Sequence, residues 1–270
     1  MSETLKKTSN IAELSREMVD SVQAKIVEMQ EAGSINFPPH YSVANALRSA
    51  WLQIQQTTDI SGRPALDVCT RESVANALLN TVIQGLSPAK KQIYYIVYKD
   101  KLQAQRSYFG TVAATKRIPG VKDVWADVVY EGDEFQSEKI RGGWRVVKHT
   151  STPENIDPEK IRYAYAVIEH DDGTEYTEIM TWGQIQESWA KSRSKDQSVH
   201  KEFPDQMAKR TVINRACKMY FNTSDDSDML IEAFNETGEQ YDNSAAAMPH
   251  KSEKLDALNA ELGAEVIDDD

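Results

Sequence analysis

Four residues, Gly85-Leu86-Ser87-Pro88, divide the chain into two folding regimes. Upstream, apolar residues recur at helical spacing. Residues 11–31 place Leu14, Met18, Val22, Ile26 and Met29 on one face, residues 41–55 space Val43, Leu47, Ala50, Trp51 and Ile54 likewise, and residues 71–84 carry Val74, Leu78, Leu79 and Val82. At the divide, Gly85 sits where a helix stops, Leu86 can fold back as the hydrophobic contact of the cap, and Pro88 forbids continuation.

Downstream the period falls to two. Residues 93–98 are β-branched and aromatic, Lys99-Asp100-Lys101 is a polar break and residues 102–109 return, which predicts a hairpin with a basic and aromatic exposed face. Gly110 opens a short helix over 111–118, carrying Lys116 and Arg117 and closed by Pro119-Gly120. Val124, Ala126, Val128 and Tyr130 alternate with Trp125, Asp127 and Val129, so this strand is apolar on both faces and interior to a sheet. Strands over 144–149, 161–169 and 174–180 extend it as an antiparallel meander, with Asp172-Gly173 as the strongest hairpin signal.

Thr181 N-caps a helix over 181–191 whose inner face is Trp182, Ile185 and Trp189. The last long helix, 205–220, sets Ala208, Val212, Ile213, Ala216, Cys217, Met219 and Tyr220 on one side and Arg210, Thr211, Asn214, Arg215 and Lys218 on the other. Lys209 falls inside the apolar arc, where an unpaired ammonium is costly. Either it snorkels outward, or this end of the helix faces a polyanion that supplies the counter-charge.

The net charge of −11 argues against a nucleic-acid partner until it is localised. Residues 1–89 hold 7 basic and 9 acidic side chains, residues 90–218 hold 22 and 19, and residues 219–270 hold 2 and 14. The middle of the chain is therefore positive, most of all over 189–218, and compatible with a basic groove. No GxxxxGK[ST] and no Gly-Lys dipeptide occurs, which argues against an ATPase phosphate loop. The five histidines lack metal-pair spacing, and Cys69 and Cys217 lie far apart, as in a reducing compartment. Neither a leader at the N-terminus nor an apolar run of membrane length is seen.

Read in order, Gly85-Leu86-x-Pro88, the Tyr-rich hairpin, Tyr130-x-Gly132-Asp133-Glu134-Phe135, Tyr163-Ala164-Tyr165-Ala166 and Met207-Ala208-Lys209-Arg210-Thr211 resemble the RecT family of phage single-strand annealing recombinases, over about residues 40–222. The family's usual Tyr-Lys-Gly segment reads Tyr108-Phe109-Gly110 here, without the lysine. The resemblance implies an α+β fold: an antiparallel β-meander and hairpin core packed with helices, a Rad52-like annealing fold, assembled as a ring or helical filament. It implies an oligomerising N-terminal helix over 1–33, a DNA-binding and annealing core over 34–222, and an acidic, largely flexible tail over 223–270 with a partner-binding helix.

The expected activity is ATP-independent binding of single-stranded DNA and annealing of complementary strands in homologous recombination, with no catalytic residue, no metal site and no cofactor beyond Mg²⁺ brought by DNA. Expected partners are single-stranded and annealed duplex DNA, further copies of the chain, a phage exonuclease and a host single-strand binding protein, in the cytoplasm of a bacterial host and away from membranes. DNA contacts are expected from Lys99, Lys101, Arg106, Tyr108, Lys116, Arg117, Lys191, Arg193, Lys195, Lys209, Arg210, Arg215 and Lys218, with Tyr94, Tyr95 and Tyr98 as stacking surfaces. Two other readings stand beside this one: a Mg²⁺-dependent nuclease using Asp127, Asp133 and Glu134, and a DNA-independent scaffold that oligomerises through helices 11–31 and 41–55.

Overall fold

The computed structural model describes residues 2–38, 40–190, 198–223 and 228–238, with side chains from 17 onward in the first helix. These residues divide into two compact units, 2–110 with 228–238, and 111–223. The boundary cuts through the span 34–222 expected to be one core, and 228–238, expected to belong to the tail, is part of the first unit. Among the described residues no helix is long and apolar enough to cross a membrane.

The first unit is built around one buried helix. α1 (Ser2–Glu31) buries Met18, Val22, Ile26 and Met29, and α2 (Val43–Gln56), N-capped by Ser42, buries Ala46, Leu47, Ala50, Trp51 and Ile54. After the single turn of α3 (Ala65–Val68), Thr70 caps α4 (Arg71–Ile83), which is buried from Ser73 to Ile83 apart from Asn76. α1 and α2 both pack on α4. At its end the Gly85 amide donates to the Val82 carbonyl (2.7 Å) and the Leu86 amide to the Thr81 carbonyl (3.0 Å), with Gly85 at φ +59° and Leu86 fully buried. This is the Schellman arrangement expected of Gly85-Leu86.

β1 (Ile93–Tyr98) and β2 (Lys101–Arg106) form the expected antiparallel hairpin. α5 (Tyr108–Thr115) starts three residues earlier than expected, because the Ser107 hydroxyl accepts the Gly110 amide (3.2 Å) as an N-cap. Gly110 is forced by close approach: a Cβ there would land on the Gln92 carbonyl oxygen and lie 2.6 Å from Arg106 Cγ.

The second unit holds a five-stranded antiparallel sheet: β3 (Val121–Tyr130), β4 (Glu134–Ile140), β5 (Gly143–Thr150), β6 (Ile161–His170) and β7 (Glu175–Thr181), in the order β3-β6-β7-β5-β4. The order corrects the simple meander and puts β3, expected in the interior of the sheet, at its edge. β3 pairs with β6, where Ala164 and Ala166 stand opposite Val128 and Ala126, and β4–β5 is a separate hairpin inserted between them in sequence. The Asp172-Gly173 hairpin forms as expected, with Gly173 at φ +79°.

α6 (Trp182–Ala190) opens on a capping box, in which the Gln184 amide donates to the Thr181 hydroxyl (3.3 Å) and the Thr181 amide to Gln184 Oε1 (3.0 Å). α7 (Ser198–Glu202) leads into α8 (Pro204–Asn222), which packs across β6 and β3 through Ala208, Val212, Ile213, Ala216, Cys217 and Phe221. Met219, expected on this face, is exposed. α9 (Asp228–Glu236) returns to the first unit.

Candidate nucleic-acid interface

In the first unit the period of the strand sorts the hairpin residues. Ile93, Tyr95, Val97, Leu102 and Ala104 face inward, while the register pairs Tyr94 with Gln105, Ile96 with Gln103 and Tyr98 with Lys101 on the outer face. Tyr98 is 56 % exposed, and the Lys99 ammonium lies 5.9 Å from its ring centre. Lys99 and Lys101 are exposed. Tyr95 is a core residue: its hydroxyl meets Thr81 Oγ1 at 2.8 Å, and burial pushes its phenol well above the ordinary value. Tyr108 is half-buried, edge-on to the more exposed Phe109.

Arg106 departs from the expectation. It is 4 % exposed, and Nη1 donates to Gln84 Oε1 (2.9 Å), the Phe234 carbonyl (2.6 Å) and Thr237 Oγ1 (3.0 Å), with its guanidinium carbon 3.4 Å from the centre of the Phe234 ring. Asn80 Nδ2 adds a bond to Glu236 Oε2 (2.8 Å). Arg106 thus fastens 228–238 to α4 and β2, and its polar group is not at the surface. Its position on β2, in phase with Leu102 and Ala104, carried that information.

In the second unit four of the expected contacts lie on α8. Arg215 is exposed, while Lys209, Arg210 and Lys218 are half-buried. Several of the expected cations meet carboxylates of their own unit: Lys116 pairs with Asp123 (2.8 Å), Lys209 with Asp127 (2.9 Å) and Arg215 with Glu178 (2.8 Å). Such partly exposed pairs are worth only about 0–1 kcal/mol each, so they leave the cations available to a competing anion. Arg117 is half-buried just after α5. Lys191, Arg193 and Lys195 lie outside the described residues.

Asp127, Asp133 and Glu134 do not form a common acidic site. Asp133 is fully covered; Oδ2 accepts the Tyr130 amide (2.7 Å) and lies 3.3 Å from His149 Nε2, and Oδ1 accepts from Asn155 (2.9 Å). Burial pushes this carboxyl up, but hydrogen bonds from Ser151, the Tyr130 amide, Asn155 and His149 outweigh it and hold it below the usual carboxylate range. Glu134 pairs with Lys148 (2.7 Å), and Asp127 with Lys209. Among the described residues no three His, Cys, Asp or Glu side chains are grouped to hold a metal.

The β4–β5 hairpin supplies a surface that the residue pattern left out. Residues 139–148 contain Lys139, Arg141, Arg145 and Lys148 and no carboxylate. All four are exposed, the turn runs through Arg141 (φ +50°) and Gly142 (φ +88°), and the Lys139 ammonium lies 5.5 Å from the centre of the partly exposed Trp144 ring. Gly142-Gly143 beside a strand was the available signal. Trp125, 41 % exposed, adds an aromatic edge-on to Tyr165.

Residues 44–247 match the RecT family. Over 200 residues, 70 % of this chain and 71 % of the relative, the sequence is 28 % identical to Protein RecT of Escherichia coli (strain K12).

Proposed function

The chain belongs to the RecT family, and on that premise we propose that it binds single-stranded DNA and anneals complementary strands during recombination, without ATP and as an oligomer. The observation that carries the reading is the outer face of β1–β2, where Tyr98 stands beside Lys99 and Lys101 on a backbone fixed by the buried partners of the same strands. Aromatic faces support bases at ~1–3 kcal/mol per base without reading their identity, and cations beside them follow the phosphates.

Lys116, Arg117, Lys209, Arg210, Arg215 and Lys218 on the second unit, together with the cations of the β4–β5 hairpin, supply further phosphate contacts in this reading. Annealing then needs no bond-making chemistry. A strand held extended with its base edges open lets a complement sample it, and each correct step returns about 1.4 kcal/mol. One protomer spans few nucleotides, so several copies line up along a strand, as a ring or a filament. A phage exonuclease that exposes single strands and a host single-strand binding protein are the partners that fit; any Mg²⁺ arrives with the DNA.

The test mixes the purified chain with a labelled oligonucleotide and then its complement, in the presence of Mg²⁺ and without nucleotide triphosphate. Accelerated formation of full-length duplex is expected. Shortened strands would support the nuclease, and assembly with no acceleration would support the scaffold.

A further inference from the structure

We propose that Asp127 holds the place of a backbone phosphate on Lys209 in the free protein, so that an incoming strand must displace it; this rests on the reading of the chain as a single-strand binder. The sequence left the Lys209 ammonium inside the apolar arc of α8 without a counter-charge. Asp127, on the edge strand β3, supplies it, with Oδ1 2.9 Å from Nζ, the distance of a charge-assisted contact to a phosphate oxygen.

The carboxylate is held in position rather than mobile. Oδ1 also accepts the Val128 amide (2.9 Å), and Oδ2 lies 3.9 Å from His149 Nδ1, whose ring is in turn fixed by Tyr165 (3.0 Å) and Asp133 (3.3 Å). Yet the Asp127 side chain is 46 % exposed and that of Lys209 30 %. An anion arriving from solvent therefore reaches the same ammonium. A carboxylate keeps the lysine extended and pointed, and it also lowers the net attraction that a phosphate feels.

This arrangement has a signature in salt dependence. The counterions released on binding come from the strand, about 0.7 of slope in log K against log salt for each phosphate neutralised; a lysine whose charge is cancelled by its own carboxylate neutralises a phosphate less completely and so releases fewer. Removing the Asp127 charge should therefore tighten binding and steepen the slope together.

The experiment measures binding of a labelled oligo-dT to the full-length chain between about 50 mM and about 200 mM salt. Four proteins are compared: wild type, Asp127→Asn, Lys209→Gln and the double variant, with Glu175→Gln, which removes one charge from the exposed first residue of β7, as control. Asn retains an acceptor for the Val128 amide. Expected for Asp127→Asn are several-fold tighter binding and a slope steeper by about 0.7, with no effect in the Lys209→Gln background. Unchanged or weaker binding by a folded Asp127→Asn protein, or an effect matched by Glu175→Gln, overturns the proposal. If Asp127→Asn fails to fold, Asp127→Ser takes its place in the same cycle. No binding by the wild type at the lowest salt would instead overturn the functional reading.

Discussion

The protein contains two β-hairpins of similar length that meet solvent in opposite ways. β1–β2 buries every second residue within its own unit, and Arg106 at its end anchors it to 228–238. β4–β5 has no buried residue and joins the rest of its sheet through the pair Trp144 and Thr177, with Phe135 and Val146 resting on the cluster of Val129, Tyr165 and Val167. The first is a surface whose outward rings are placed by packing on the other side of the strand. The second is a cationic arm beyond Phe135 and Val146, where Lys148 and Arg145 meet Glu134 and Glu138 across the hairpin in exposed pairs. Pre-organisation favours stacking on the first, and charge alone favours the second.

Removing the anchor of the first hairpin should have the largest effect. Arg106→Met would take this donor from the Phe234 carbonyl and strip one partner each from Gln84 and Thr237, which keep their bond to each other (3.1 Å), so a loss of about 2–3 kcal/mol is expected in chemical denaturation. Lys148→Ala in β5 should stay within about 0.5 kcal/mol. Similar losses from the two would erase the distinction between the hairpins.

Oligonucleotide affinity sharpens the same contrast. Tyr98→Ala should weaken binding of a single strand by roughly 5- to 150-fold, the equivalent of ~1–3 kcal/mol of stacking, with the circular dichroism unchanged. Trp144→Ala should cost less, because its strand does not fix the ring from behind. The reverse ranking, read by fluorescence anisotropy, would make the arm the stacking element. Arg141→Ala with Arg145→Ala should instead lower the salt slope, by about 0.7 for each phosphate that is no longer neutralised, and leave affinity at high salt nearly unchanged.

The same contrast explains what the residue pattern disclosed. β1 was legible because Ile93, Tyr95 and Val97 repeat at period two against a buried helix, and the cap at Gly85-Leu86 was legible because only a few residue types end a helix in that way. β4 is not legible: in Glu134-Phe135-Gln136-Ser137-Glu138-Lys139-Ile140 only Phe135 is partly buried, so no burial period is written into it. The strand order was hidden for another reason, since turn residues report neighbours in sequence and the pairing of β3 with β6 spans the whole β4–β5 insertion. At the site, Lys209 stood out in the helical wheel, but its counter-charge Asp127 lies 82 residues away in sequence and belongs to the sheet. Arg106 carries a charge, which usually marks the surface, but its phase on β2 with Leu102 and Ala104 turns it inward.

The smallest effect is expected at the foot of the second hairpin and only in acid. Asp133 ties the turn between β3 and β4 to β5 through the Tyr130 amide, Asn155 and His149. Burial opposes its charge, but these bonds and the one from Ser151 prevail, so its carboxyl titrates below the ordinary value in the folded chain. A group with a depressed folded pKa contributes stability that is fully present above its unfolded pKa, near 4 for Asp, and lost as pH falls through the folded value. Stability from this source should thus be flat from neutral pH to about pH 5 and decline below about pH 4. Comparing wild type with Asp133→Asn in denaturation at stepped pH reads this directly: the gap between them should narrow only in that acid range, because Asn has no proton to take up. A gap that persists unchanged through the acid range would mean that the turn is held by packing around Phe135, and that the second hairpin is anchored more like the first than its exposure suggests.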